Sequence, residues 1–159
     1  MPQQITYASG VAVLPSRLRS VRRLRDRVRS LIRYAPASNG LPDPGEVVWA
    51  WVPYEEDPSQ GKDRPVLLIG TAGSDLLALP LTSRDRTRDP AELAEEARRG
   101  RHWMDVGTGG WDRQGRPSEV RLDRLLHLSP TAVRREGAAL PRPVFDAVLA
   151  AAARHHDLG

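Results

Sequence analysis

Arg64 and Thr82 stand at the outer ends of two apolar runs, and a cation beside a hydroxyl is a pairing suited to holding a phosphodiester. Gly61-Lys62-Asp63-Arg64-Pro65 leads into Val66-Leu67-Leu68-Ile69, and the second run, residues 76–81, ends in Thr82-Ser83. A proline followed by four large aliphatic residues reads as the start of a buried strand, because proline needs no ladder partner there and the run is too short for a helix. Arg64 is then expected where a loop enters the sheet. Ala72-Gly73-Ser74-Asp75 supplies a turn, so the second run returns antiparallel and Thr82 ends on the same side of the sheet as Arg64. Each of these residues also has a purely structural reading. Arg64 could pair with Asp63 or Glu46 at a strand end, and Thr82 and Ser83 could close a hairpin.

Arg121 and Asp123 are spaced by two, so on a strand they share a face, as a catalytic pair or as a structural salt bridge. Trp49 and Trp51 likewise share a face, as core, dimer contact or base-stacking platform. Trp103 and Trp111 flank a glycine-containing loop, Gly107-Thr108-Gly109-Gly110-Trp111, where stacking on an unpaired base is the alternative to packing. His155 and His156 are adjacent on an expected helix and point apart, while His102 and His127 have no companions at ligand spacing; no metal site is expected.

The elements that position these residues are mostly short strands. Residues 45–52 form a strand with β-branched and aromatic residues, ended by Pro53. Residues 90–99 read as a helix, with Pro90 in the first turn, Glu92, Glu95 and Glu96 near its start, and Gly100 as its stop. Residues 118–128 read as one strand or two, and residues 143–154 as an alanine-rich helix turning Val144, Val148 and Ala151 to the sheet. Upstream, Leu18, Val21, Leu24, Val28, Leu31 and Ile32 recur at helical spacing from Ser16, a plausible N-cap, to Tyr34. This predicts an amphipathic helix, either an arm for RNA, membrane or a partner, or a surface helix docked by its apolar stripe. A Pro-, Ser- and Gly-containing linker follows. The chain therefore divides into an arginine-rich extension and linker, residues 1–41, and a main domain, residues 42–159.

The 159 residues can bury one modest core. With no cysteine there are neither disulfides nor thiolate metal sites, and a cytoplasmic setting is expected; no signal peptide or membrane span is read. The net charge of +4 is unevenly spread: residues 1–36 hold eight arginines against Asp26 alone, leaving 16 basic and 19 acidic residues in the remainder. Nonspecific attraction to polyanions should therefore reside in the N-terminal segment.

In order, Gly45-Glu46-Val47-Val48-Trp49, Arg64-Pro65-Val66 with its aliphatic run, Thr82-Ser83, and Ser118-Glu119-Val120-Arg121-Leu122-Asp123 before a closing helix resemble the PemK/MazF ribonuclease toxins of type II toxin–antitoxin systems. The resemblance implies a mainly β fold with peripheral helices: a twisted antiparallel sheet of the SH3-like, partly open barrel type, here with the N-terminal helix added. It also implies a cytoplasmic homodimer that binds single-stranded RNA, cuts it without metal or other cofactor to leave a 2′,3′-cyclic phosphate and a 5′-hydroxyl, and is restrained by an antitoxin with an acidic tail. By position, Arg64, Thr82, Arg121 and Asp123 are the implied catalytic residues. Lys62, Ser83 and Trp111 are the expected RNA contacts.

The chemistry is coherent on its own terms. Attack by a ribose 2′-hydroxyl needs a proton acceptor, in-line geometry and donors for charge on the non-bridging oxygens. Arg64 and Thr82 suit the donors. Asp123 is the best-matched base, with Glu55 or Glu56 of the acidic turn as alternatives, since the Glu-Gln pair and histidine that many family members carry before the Arg-Pro are replaced here. The alternative function is a non-catalytic module on the same scaffold, such as a toxin acting on gyrase by protein contact or a degenerate RNA-binding protein.

Overall fold

The computed structural model describes residues 6–8, 11–13, 30–36 and 42–158. Its strands are β1 (Thr6–Ala8), β2 (Val11–Val13), β3 (Ser30–Ile32), β4 (Glu46–Pro53), β5 (Gly61–Ala72), β6 (Asp75–Thr82), β7 (Trp103–Gly107), β8 (Ser118–Arg121), β9 (Leu126–Leu128) and β10 (Val133–Ala139). Its helices are α1 (Pro90–Arg98) and α2 (Arg142–Ala152). All pairings are antiparallel, in the order β1-β2-β9-β6-β5-β4-β10; β3 joins β5, and the β7–β8 pair joins β6. The expected antiparallel sheet with peripheral helices is therefore the observed architecture.

The β5–β6 hairpin is the centre because its residues are apolar on both faces. Leu67, Ile69, Leu77, Leu79 and Leu81 face one cluster, which α2 completes with Phe145, Val148 and Ala152. Val66, Leu68, Leu76 and Ala78 face a second, with Val48, Ala50 and Val52 of β4 and Leu126 and Leu128 of β9. The two strands are not equal in length. Leu68 lies opposite Ala78, but Gly70 lies opposite Leu77, so β5 carries one extra residue at Ile69.

Local signals set the helix ends. The Asp89 side chain accepts the Ala91 N–H at 2.9 Å, Pro90 follows, and Gly100 at φ 78° ends α1 in a conformation that suits glycine. In α2 the buried stripe runs through Phe145, Val148 and Ala152, with the expected Val144 and Ala151 beside it in partial burial.

Three expectations need correction. The helix drawn from Ser16 to Tyr34 lies outside the described residues from 16 to 29, and residues 30–32 are extended strand paired to Gly70–Ala72. Arg64 sits inside β5, which begins at Gly61, rather than in a loop entering it. Trp111, expected on a flexible loop as an RNA contact, is a core residue at 3% exposure, with its indole N–H donated to Ser118 Oγ at 3.0 Å. The glycines around it make room for the ring: a Cβ on Gly109 would lie 2.0 Å from it. A ring so enclosed has no face for a base.

Replacing Phe145, which stacks on Tyr34 at 5.1 Å and is 1% exposed, by alanine should cost about 3–5 kcal/mol. Urea denaturation followed by circular dichroism measures this, and a loss under about 1 kcal/mol would mean that α2 does not close the core.

Candidate active site

Sheet register assembles the candidate residues from separate strands. Arg64 lies opposite Ala50 of β4, and Val66 opposite Pro80 of β6, so two further residues along each strand bring Arg64 level with Thr82. Thr82 in turn lies opposite Glu119 of β8, and Glu119 opposite Asp105 of β7. A single cross-strand row thus reads Arg64, Thr82, Glu119, Asp105. Strand alternation puts Arg64 on the face of Val66 and Leu68, at the hairpin's open end, where the apolar cluster stops.

Arg64 is half-buried, and no hydrogen bond or ion pair from a described residue engages its guanidinium. Asp63, one of its expected partners, instead approaches Arg134 at 3.9 Å. Burial lowers the Arg64 pKa, Tyr54 and Glu56 oppose the shift, and Arg121 and Arg86 add to it. Thr82 Oγ1 accepts the Arg84 backbone N–H at 3.1 Å, which leaves its own proton to be donated elsewhere. Lys62 and Ser83 are exposed beside the pair, and Lys62 shares the face of Arg64.

Arg121 and Asp123 are brought together, but in a closed network. Arg121 donates to both Asp123 oxygens, at 2.8 Å from Nη2, and grips Glu55 with Nη1 and Nη2 at 2.9 and 3.0 Å. Asp123 Oδ1 also accepts the His102 N–H at 2.7 Å. Burial alone would lower the Arg121 pKa, yet the hydrogen bonds it donates to Asp123 and Glu55 outweigh it and raise the value. Arg121 therefore ties the Tyr54–Gln60 turn to β8, and neither it nor Asp123 has an unengaged edge comparable with that of Arg64.

Residues to which the sequence assigned no part in the site complete the surroundings. Arg124 is buried, donates Nη2 to the Pro53 carbonyl at 2.7 Å, and has an unpartnered Nε; burial lowers its pKa. Arg86 lies over the Trp103 ring at 5.8 Å and pairs with Glu92 and Glu96 at 3.4 and 3.3 Å. Glu119 is 4% exposed, accepting the Arg86 N–H and the Thr87 hydroxyl, both at 2.8 Å. The signal for Glu119 was its spacing of two from Arg121, which puts both on one strand face. His102 and His155 stack at 4.4 Å, a contact between distant segments that spacing does not reveal. Among the described residues no cluster of His, Cys, Asp or Glu fits a metal ion, and no helix is long and apolar enough to cross a membrane.

Residues 43–156 match the family model described as PemK-like, MazF-like toxin of type II toxin–antitoxin system. Among solved structures, MazF (Form-I) from Deinococcus radiodurans is 22% identical with a TM-score of 0.50, covering 72% of this chain and 94% of its own. MazE-MazF (Form-II) from the same organism is 22% identical with a TM-score of 0.48, at the same coverage. No curated protein sequence matches the chain.

Replacing Arg121 by alanine strands Asp123, whose side chain is 14% exposed, and should cost about 3–5 kcal/mol. Glu55→Ala removes a partner that is 45% exposed and should cost under about 1 kcal/mol. Equal losses in urea titrations of the two variants would contradict the assignment of Asp123 as the principal partner.

Proposed function

Because the chain belongs to the PemK-like, MazF-like toxin family of type II toxin–antitoxin systems, we propose that it is a metal-independent endoribonuclease selective for short motifs in single-stranded RNA. The observation that carries this reading is Arg64, a half-buried guanidinium with no partner among the described residues, level with the Thr82 hydroxyl at one strand end.

In this reading the ribose O2′ attacks the adjacent phosphorus as its proton passes to a carboxylate; the O2′–P bond forms, the P–O5′ bond breaks, and O5′ takes up a proton. The products are a 2′,3′-cyclic phosphate and a 5′-hydroxyl. Arg64 balances charge on the non-bridging oxygens, worth more here than in water because the site is partly desolvated. Thr82 donates to the same phosphate, and Lys62 and Ser83 hold the neighbouring backbone. Glu56, exposed near Arg64 and outside the Arg121 network, is a better acceptor than Asp123, whose oxygens are occupied. Arg121 and Asp123 then support the site by fixing the turn that carries Glu56.

The partners in this reading are single-stranded RNA, a second copy of the chain, and an antitoxin whose acidic tail competes for the cationic strand end, since guanidinium groups accept carboxylates and phosphates alike. The setting is cytoplasmic.

Incubating the protein with mixed single-stranded RNA in EDTA and mapping the termini tests the reaction. Discrete cuts with cyclic phosphate ends are expected. Arg64→Ala should abolish them with the circular dichroism spectrum unchanged, and Thr82→Ala should slow them on the order of 10²- to 10³-fold. Undiminished cutting by the Arg64 variant would refute the site, and no cutting by the parent would favour a module that acts by protein contact.

A further inference from the structure

Glu119 is the one carboxylate in the cross-strand row that lies directly beside Thr82, and both its oxygens are in use. Oε2 accepts the Arg86 N–H and Oε1 accepts the Thr87 hydroxyl, each at 2.8 Å. The same segment begins with the Arg84 N–H on Thr82 Oγ1, and its outer side is wound on Asp85, which accepts the Thr87 and Arg88 N–H groups. Residues 84–88 are therefore held by three anchors, Thr82 at the start, Glu119 in the middle and Asp85 within the segment itself. Thr82 and Glu119 come from the sheet, and of the three Glu119 alone is buried.

Building on the cleavage reading above, we propose that Glu119 is a positioning residue for cleavage, holding the segment after Thr82 so that the Thr82 hydroxyl stays aimed at the strand end occupied by Arg64. Without the carboxylate, the Arg86 backbone N–H and the Thr87 hydroxyl lose their link to β8, and the grip of Arg84 on the Thr82 hydroxyl loosens with it. Displacing a donor by about 1 Å is enough to cost on the order of 10²-fold in rate.

The charge state of Glu119 separates this role from simple packing. Burial pushes its carboxyl above the ordinary range against the pull of Thr87 and Arg86, and Asp85 adds to the rise. The other charged groups around it are Asp105, opposite in register on β7, and Glu92 and Glu96 of α1, which meet Arg86. With its folded pKa raised, Glu119 stabilises the fold below the unfolded value, and that contribution is lost as pH rises through the folded pKa. Ionising Glu119 thus costs the fold stability, as is common for groups kept for function. On acidification one oxygen gains a proton and can no longer accept from both loop groups.

The test compares the parent with Glu119→Gln and Glu119→Ala, reading cleavage rates across pH and RNA concentration together with amide hydrogen exchange at residues 84–88. Glu119→Ala should lower kcat on the order of 10²-fold with little change in KM, and should speed exchange at the Arg86 amide. Glu119→Gln, whose amide oxygen can still accept from Arg86, should keep most of kcat and leave exchange at the Arg86 amide close to that of the parent. The proposal is overturned if Glu119→Ala cleaves as the parent does, or if Glu119→Gln loses as much kcat as Glu119→Ala. Failure of the parent to cut any RNA defeats the cleavage reading and the catalytic part of this one, whereas unchanged exchange in Glu119→Ala defeats only the holding contact.

Discussion

Burial on both faces of β5 and β6 is the constraint from which the rest follows. A sheet with one solvated face can carry polar side chains anywhere along that face, but here Leu67, Ile69, Leu79 and Leu81 are covered on one side and Val66, Leu68 and Ala78 on the other. Polar side chains on these two strands are therefore confined to their ends. Arg64 and Thr82 are the first residues past the apolar cluster in one direction, and the turn at Gly73 and Ser74 lies in the other. The wall of aliphatic side chains also supplies the partial desolvation that makes an unpaired guanidinium strong toward anions.

Four arginines share this region, and their environments differ. Arg121 is neutralised by two carboxylates, Arg86 by two glutamates of α1, and Arg124 is buried against a backbone carbonyl. Arg64 is left with electrostatic neighbours and no bonded partner among the described residues. Identical side chains thus divide between structural and ligand-facing work according to which acidic residues the topology brings within reach. The Arg121 and Glu55 contact spans 66 positions of sequence, so no local pattern could have disclosed it.

What was legible in the sequence was what local chemistry dictates. Pro65 and the aliphatic run marked β5, the Gly73-Ser74 turn marked the hairpin, and Asp89-Pro90 with Gly100 marked α1. Arg64 and Thr82 followed because a hairpin fixes which residues meet. β10 was not legible: Val-Arg-Arg-Glu-Gly-Ala-Ala has no alternation, and its pairing to β4 is broken by two register shifts, so its partner, rather than its own composition, makes it a strand. Residues 30–32 suit a helix by spacing, yet they meet an open backbone edge at Gly70–Ala72, and tertiary pairing overrides the local preference. Trp111 misled because glycine was read as freedom, whereas Gly109 is there to clear space for the indole ring.

The single extra residue at Ile69 changes the numbering along β5 without exchanging its faces. Before it, even-numbered side chains of β5 enter the cluster shared with β9; after it, Ala72 enters the one closed by α2. β3 pairs only with the portion beyond the bulge, and its Ile32 packs against the α2 side. β6 alternates without interruption past the bulge, Leu77 and Leu79 in the cluster closed by α2 and Leu76 and Ala78 in the other, so removing that one residue would leave the distal side chains of β5 on their present faces and take away only the local bend. Homologous chains can thus gain or lose this residue without exchanging which side chains enter which layer.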